Sequence, residues 1–448
     1  MRTTSQGTGL STPTDTGPQK GHLVRAIGFF GIAILALNAV IGAGIFALPA
    51  TVTAQAGLLS PWLFLIIGTL VITIVLTFAE LASYFRESGG LVLYTTTAFG
   101  PLVGFGTGWI YFISRVSAFA ANSTVLALYL GTVWPWVAEG VGRTLLITAL
   151  CTALTYANYT GVKDGVRTLA VFTFMKLTPI AMLIIFGLQH VSGDTFFPSE
   201  FPVIEDLGGT VLLLIYAFVG FESTSIVSGE SKNPRRTLPI TMVNTLIGIG
   251  VLYFLIVLVY VSVLPNAGEK GTTLITVGEV LFGPVGVIAI TLAAVFSIGG
   301  NLAAIMLAVP RLTFAMAEHH LLPKWFGVIN KKHSTPGNSI LFLGALGLVL
   351  ALSGSFVQLA VASSLTRLIS YILCIVSLPT IRRKADAEVR EQAFHLKGGY
   401  TIPAIALVVC IWIAAQSNAE SWIFIGKLLA IGLVFYGIAR MARKRRDE

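Results

Sequence analysis

Apolar runs as long as a bilayer is thick, such as Pro61–Ala82 and Leu238–Leu264, set the first constraint on this 448-residue chain. Each is at or above the roughly 20 residues with which a helix crosses the hydrocarbon core. In lipid the backbone polar groups of such a run must be satisfied within the segment, which predicts helix. A large soluble helical core would instead break the runs with a polar stripe at every turn. Charged residues make up only 11% of the chain and hydrophobic ones 55%, whereas a soluble domain carries roughly 25% charged residues to meet water. The chain therefore reads as an all-α integral membrane protein.

Twelve transmembrane helices are predicted, near 27–56, 60–82, 99–130, 144–159, 168–190, 209–229, 239–263, 284–309, 339–354, 356–379, 401–416 and 423–440. The Ser-, Thr-, Gly- and Pro-rich residues 1–26 read as a disordered cytoplasmic tail without the apolar run and cleavage site of a secretory signal. With both termini inside, about 23 Lys and Arg fall in the cytoplasm, about 3 outside and about 3 within the membrane. The basic loops hold Lys163/Arg167, Lys232/Arg235/Arg236, Lys331/Lys332 and Arg382/Arg383/Lys384, and 441–448 forms a basic tail. Segment 191–207 holds Asp194, Glu200, Glu205 and Asp206 with no base, which places it outside. The net charge of +9 is thus a topology signal for a multi-pass protein of the cell membrane, and it does not call for a nucleic-acid partner.

Other classes lack their residues. Cys151, Cys374 and Cys410 lie in apolar segments with no metal-ligand or redox spacing, so no metal or cofactor is expected. No Gly-rich phosphate loop supports an ATP-driven pump. An enzyme site would want paired carboxylates or a His cluster at span ends, and a channel a repeated polar ring. The sequence has neither.

The first and sixth spans are interrupted, by Gly42-Ala43-Gly44 in AVIGAGIFALP and by Gly220 in IYAFVGFEST. Glycine in a helix interior costs about 1 kcal/mol relative to alanine. Glycines also serve close helix packing, but here the two breaks occupy corresponding places in two groups of five spans. Five is odd, so the second group runs inverted, and paired broken helices at matching positions point to a transporter site. The groups are 27–190 and 209–379, followed by 401–440. At each break, free amides favour an anion and free carbonyls a cation. A zwitterion suits both, so the expected substrate class is an amino acid.

AVIGAGIFALPA, FAELASYFRESGGLVLYTTTAFGPLVGFGTGW and YAFVGFESTSIVSGESKNPRRTLPI resemble the amino acid–polyamine–organocation superfamily of permeases. NYTGVKDGVRTLAVFTFMKLTP and VPRLTFAMAEHHLLPKWFGVINKKHSTP are similar to its stretches around spans four to five and after span eight. The resemblance covers about residues 25–385 and implies the LeuT-like five-plus-five inverted repeat with broken helices 1 and 6, plus two C-terminal helices. It further implies that the amides of Ala43, Gly44 and Ile45 hold a substrate carboxylate, and that the carbonyls of Val40, Tyr216 and Val219 accept from its ammonium. Some members resembling the arginine/agmatine exchanger have Ser in place of Ala43 and Trp in place of Tyr216, so an arginine-type side-chain pocket does not carry over. With Phe218 added, Ala43, Ile45 and Val219 suggest an apolar pocket wall suited to neutral L-amino acids. Polyamines and cationic or acidic amino acids are the alternatives.

Charged residues within spans are costly and are functional candidates by default. By resemblance, Lys176 places its ammonium where sodium-coupled relatives bind sodium, with Ser297 as a neighbour, so protons become the candidate coupling ion. The competing role is a pin to span-one carbonyls. Arg115 is expected to pair with Glu222 or Glu80, or else to meet an acidic substrate side chain. Arg367 plays a similar role or faces a vestibule. Glu222 serves either as a helix-start carboxylate or as a proton-coupling group. Glu80 reads as a loop anchor.

Overall fold

The computed structural model describes residues 28–85, 89–161, 165–199, 206–226, 233–269, 271–330 and 332–447. Residues 1–26, Lys163, Lys232, Lys331, Glu200 and Glu205 lie outside these segments. Among the described residues the regular structure is helical, apart from one isolated bridge between Asn330 and Thr335. The first half comprises α1 (Phe29–Val40), α2 (Gly44–Ala56), α3 (Ser60–Ser83), α4 (Gly90–Phe99), α5 (Pro101–Gly131), α6 (Gly140–Thr160), α7 (Gly165–Gly187) and the single turn α8 (Gly193–Phe196). Then follow α9 (Leu207–Phe218), α10 (Ser223–Ile226), α11 (Pro234–Val263), α12 (Leu274–Phe282), α13 (Pro284–Glu318), α14 (Gly337–Ser353) and α15 (Phe356–Lys384). The chain closes with α16 (Ala387–Gln392), α17 (Thr401–Ala415) and α18 (Ala419–Asp447).

Nine helical segments among the described residues are long and apolar enough to cross a membrane, and α1, α14 and α17 are shorter apolar helices. Their burial sorts them by position. The most apolar stretch of α5 is 89% buried inside the protein, whereas those of α6 and α18 are 17% buried. An apolar helix with so little protein cover has lipid as its natural neighbour, so α5 is central while α6 and α18 are peripheral. Helix α11 lies along α3, α15 along α5, and α13 against both α5 and α7.

Two of the expected spans are each divided. The first becomes α1 and α2 around Ile41–Ala43, and the sixth becomes α9 and α10 around Val219–Glu222. Besides the single-turn α8 and the short α16, two short helices lie outside the expected spans. One is α4. The other is α12, opened by a Thr273/Thr276 capping box and closed by Gly283 at φ +61°. Its 9 residues reach about 13 Å, too short to span a bilayer.

Candidate substrate site at the paired helix breaks

At the first break the backbone leaves the helix after Val40 and resumes it at Gly44, with Ile41 extended at ψ 91°. At the second, Val219 is extended (ψ 151°) and Gly220 sits at φ +129°, a region that side chains rarely enter. The two breaks touch through their glycines. A Cβ on Gly44 would lie 3.0 Å from Ala217 Cα, and one on Gly220 would overlap the carbonyl oxygen of Ala39. Each half of one broken span thus packs on the opposite half of the other, α1 on α10 and α2 on α9.

Unwinding exposes backbone groups that a continuous helix would pair. The amides of Gly44 and Ile45 and the carbonyls of Val40, Tyr216 and Val219 have no hydrogen-bond partner among the described residues. Ala43 departs from expectation, because its N–H donates to Asn122 Oδ1 at 2.9 Å. Two of the three amides expected to hold a carboxylate are therefore free of other partners among the described residues.

The bracing of the first break comes from amides that sequence reasoning passed over. Asn301 Nδ2 donates to the carbonyls of Asn38 (2.9 Å) and Ala39 (3.0 Å), and its Oδ1 accepts from Asn122 Nδ2 at 2.9 Å. One pair of side chains from α5 and α13 thus holds both ends of the break. The available signal was an isolated Asn in an otherwise apolar run, since a polar amide in a membrane helix must find a partner.

Lys176 is fully buried in α7 and donates to Ile41 O and to Asn38 Oδ1, both at 3.0 Å. Ser297 Oγ donates to the same Ile41 carbonyl at 3.1 Å and lies 3.2 Å from Gly42 O. Lys176 and Ser297 therefore meet at the Ile41 carbonyl.

Glu222 is buried just past the second break. Its Oε2 accepts from the Gly220 N–H (3.0 Å) and the Tyr371 hydroxyl (2.7 Å), and Oε1 lies 3.5 Å from Arg367 Nε. Arg367 Nε also donates to Ser114 Oγ at 3.0 Å. These surroundings are those of a cap and ion pair closed to water. The expected pairing of Arg115 is corrected: Glu222 takes Arg367, and Glu80 binds Arg382 in bidentate fashion at 2.7 and 2.8 Å. Glu80 also accepts from the Leu396 N–H at 3.2 Å, which anchors that loop.

Between the breaks lies a cavity of about 20 Å³, lined by Val40, Gly44, Arg115, Tyr216, Val219 and Arg367 among others. That volume holds about one water. Only half of the expected apolar wall is present: Ala43 and Val219 line the cavity, whereas Ile45 and Phe218 do not. Phe218 turns away to pack on Phe64 and Tyr253, and Ile45 is buried without lining the cavity. A larger cavity of about 500 Å³ opens on the Asp206 side, lined by Thr51, Gln55, Leu212 and Leu359 among others.

Comparison with known proteins adds to this geometry. The family model described as "Amino acid permease" matches residues 27–435. The chain is 28% identical to the serine/threonine exchanger SteT of Bacillus subtilis over 93% of this chain and 98% of that one. It is 26% identical to the branched-chain amino acid permease BcaP of the same organism, over 92% of each. It is also 25% identical to that organism's methylthioribose transporter, over 92% of this chain and 93% of that one.

Proposed function

The chain belongs to the amino acid permease family, as a multi-pass membrane protein, and from that premise we propose a secondary transporter that carries an α-amino acid by alternating access. The observation that carries the reading is the juxtaposition of the two breaks. Gly44 and Ile45 offer free amides at a helix start, and Val40, Tyr216 and Val219 offer free carbonyls, within contact of one another. The amides suit a carboxylate and the carbonyls an ammonium. Three relatives of similar distance are named for three different solutes, so the family name does not set the substrate.

A small-molecule pocket typically encloses about 300 Å³ or more, so the 20 Å³ cavity belongs to a contracted state. Admission of substrate requires the halves to part, and the 500 Å³ cavity beside Asp206 offers the approach. The reading takes spans 27–190 and 209–379 as the inverted halves and 401–440 as two added helices, twelve spans in all. Both termini are assigned to the cytoplasm of a cell-membrane protein.

Coupling is assigned to Lys176. Its ammonium bonds a carbonyl of the unwound segment, which has to move as the halves rock. A proton on Lys176 then biases the two states differently, which is the requirement for coupling. Transport is accordingly sodium-independent, as proton symport or exchange. The expected preference for neutral side chains rested on an apolar wall and is not carried forward.

The test is uptake of a labelled amino acid by proteoliposomes, challenged with analogues lacking either the α-amino or the α-carboxyl group. Analogues lacking one group should compete poorly. Strong putrescine transport without response to any amino acid would overturn the reading in favour of a polyamine carrier.

A further inference from the structure

We infer that Arg115 is a binding residue for a second carboxylate, so that the carried amino acids are those with an acidic side chain. The inference rests on the reading of the paired breaks as an amino acid site and deepens it.

Arg115 is 3% exposed, in the middle of α5, and lines the cavity between the breaks. Its Nε has no hydrogen-bond partner, and among the described residues its guanidinium pairs with neither carboxylate of the bundle. An arginine does not shed its proton to escape burial, and a buried cation needs a partner. Among the described residues the two buried carboxylates have other partners: Glu222 lies against Arg367 and accepts from Tyr371 and the Gly220 amide, although its Oε1 makes no hydrogen bond, and Glu80 accepts from Arg382 and the Leu396 amide.

The charge count points the same way. Arg115 and Arg367 stand against Glu222 alone, which leaves one positive charge, and a second whenever Lys176 at the first break is protonated. A zwitterion would leave that charge uncancelled. An amino acid with an ionised carboxylate side chain carries one net negative charge and cancels it. The α-carboxylate has its own place at the Gly44 and Ile45 amides, so Arg115 is free for the side-chain carboxylate. Its planar fork of donors matches that group. Arg367, whose outer nitrogen Nη2 also lacks a partner, borders the same space.

Initial uptake rates of L-glutamate, L-aspartate, L-glutamine, L-asparagine and L-leucine are measured in proteoliposomes bearing wild type, Arg115→Gln or Arg115→Lys. Glutamate and glutamine share their α-groups and nearly their shape, so their ratio isolates the side-chain charge. Wild type should favour an acidic amino acid over its amide by at least about tenfold in kcat/KM, as expected for a desolvated charge-assisted contact. Arg115→Gln should cut that ratio by about tenfold or more, and Arg115→Lys should keep part of it. Should Arg115→Gln fail to insert, thermal stabilisation of detergent-solubilised wild type by glutamate but not glutamine reads the same preference. Uptake of neutral amino acids in preference to acidic ones overturns the inference and leaves the transport reading intact. An acidic preference lowered equally for all substrates by Arg115→Gln overturns the assignment to Arg115. No uptake of any amino acid overturns both.

Discussion

The carbonyl oxygen of Ala39 lies so close to Gly220 that a methyl group on that glycine would overlap it. Gly44 meets the backbone of Ala217 in the reciprocal way. The two broken spans are thus locked break to break, and Val40, Gly44, Tyr216 and Val219, whose backbone groups are unpaired, surround one small cavity.

Gly220→Ala should therefore abolish transport and lower the yield of folded protein. The φ of +129° costs on the order of 2 kcal/mol for a residue with a side chain, before any overlap with Ala39. Size-exclusion profiles of the detergent-solubilised variant, read beside uptake, check this, and a normal profile with normal uptake contradicts it. Gly44→Val is expected to fail as well, since its Cβ meets Ala217. Packing alone accounts for that loss, so this variant does not test the substrate site.

Asn122→Ala and Asn301→Ala should each destabilise the protein by about 1–3 kcal/mol, the cost of leaving buried polar groups unpaired. Because the two side chains form one brace, the double variant should be less destabilised than the sum of the singles. Thermal melts in detergent measure the coupling, and strict additivity would contradict the brace.

The breaks were legible in the sequence because glycine marks where a helix gives way, and Lys176 because a lone charge in an apolar run demands a partner. The faces beyond the breaks were not legible. Phe218 and Ile45 are expected in the pocket wall because they are apolar residues beside the breaks, yet Phe218 precedes the extended Val219 and its ring packs on Phe64 and Tyr253, and Ile45, in the first turn of α2, does not line the cavity. The partner of Glu222 was missed for a similar reason. Arg115 and Arg367 both sit mid-span, and only the packing of α15 on α5 decides which reaches it. Asn122 and Asn301 went unread because a search for charges passes over amides.

Glu222→Gln should cost about 3–5 kcal/mol by stranding Arg367 in the protein interior. Glu222→Gln combined with Arg367→Met removes both charges and should recover much of the folded yield, without restoring transport. Folded yield is read by fluorescence size exclusion. A double variant less stable than either single would show that the pair does not act as a unit.

The charge distribution predicts that a cysteine at Ser199 reacts with an impermeant reagent from outside intact cells. One at Ser231, which lies outside the described residues, should react only after permeabilisation. The reverse pattern would invert the assigned orientation.

The most direct measurement is amino acid uptake into proteoliposomes with sodium, potassium or choline outside, with and without an imposed pH gradient, for wild type and Lys176→Met. The Lys176 ammonium and Ser297 share the Ile41 carbonyl, so the account predicts saturable uptake in choline and a response to the pH gradient in wild type. Lys176→Met should remain folded, lose most of its uptake and lose the pH response. A strict sodium requirement, or a Lys176→Met protein with unchanged pH response, would contradict it.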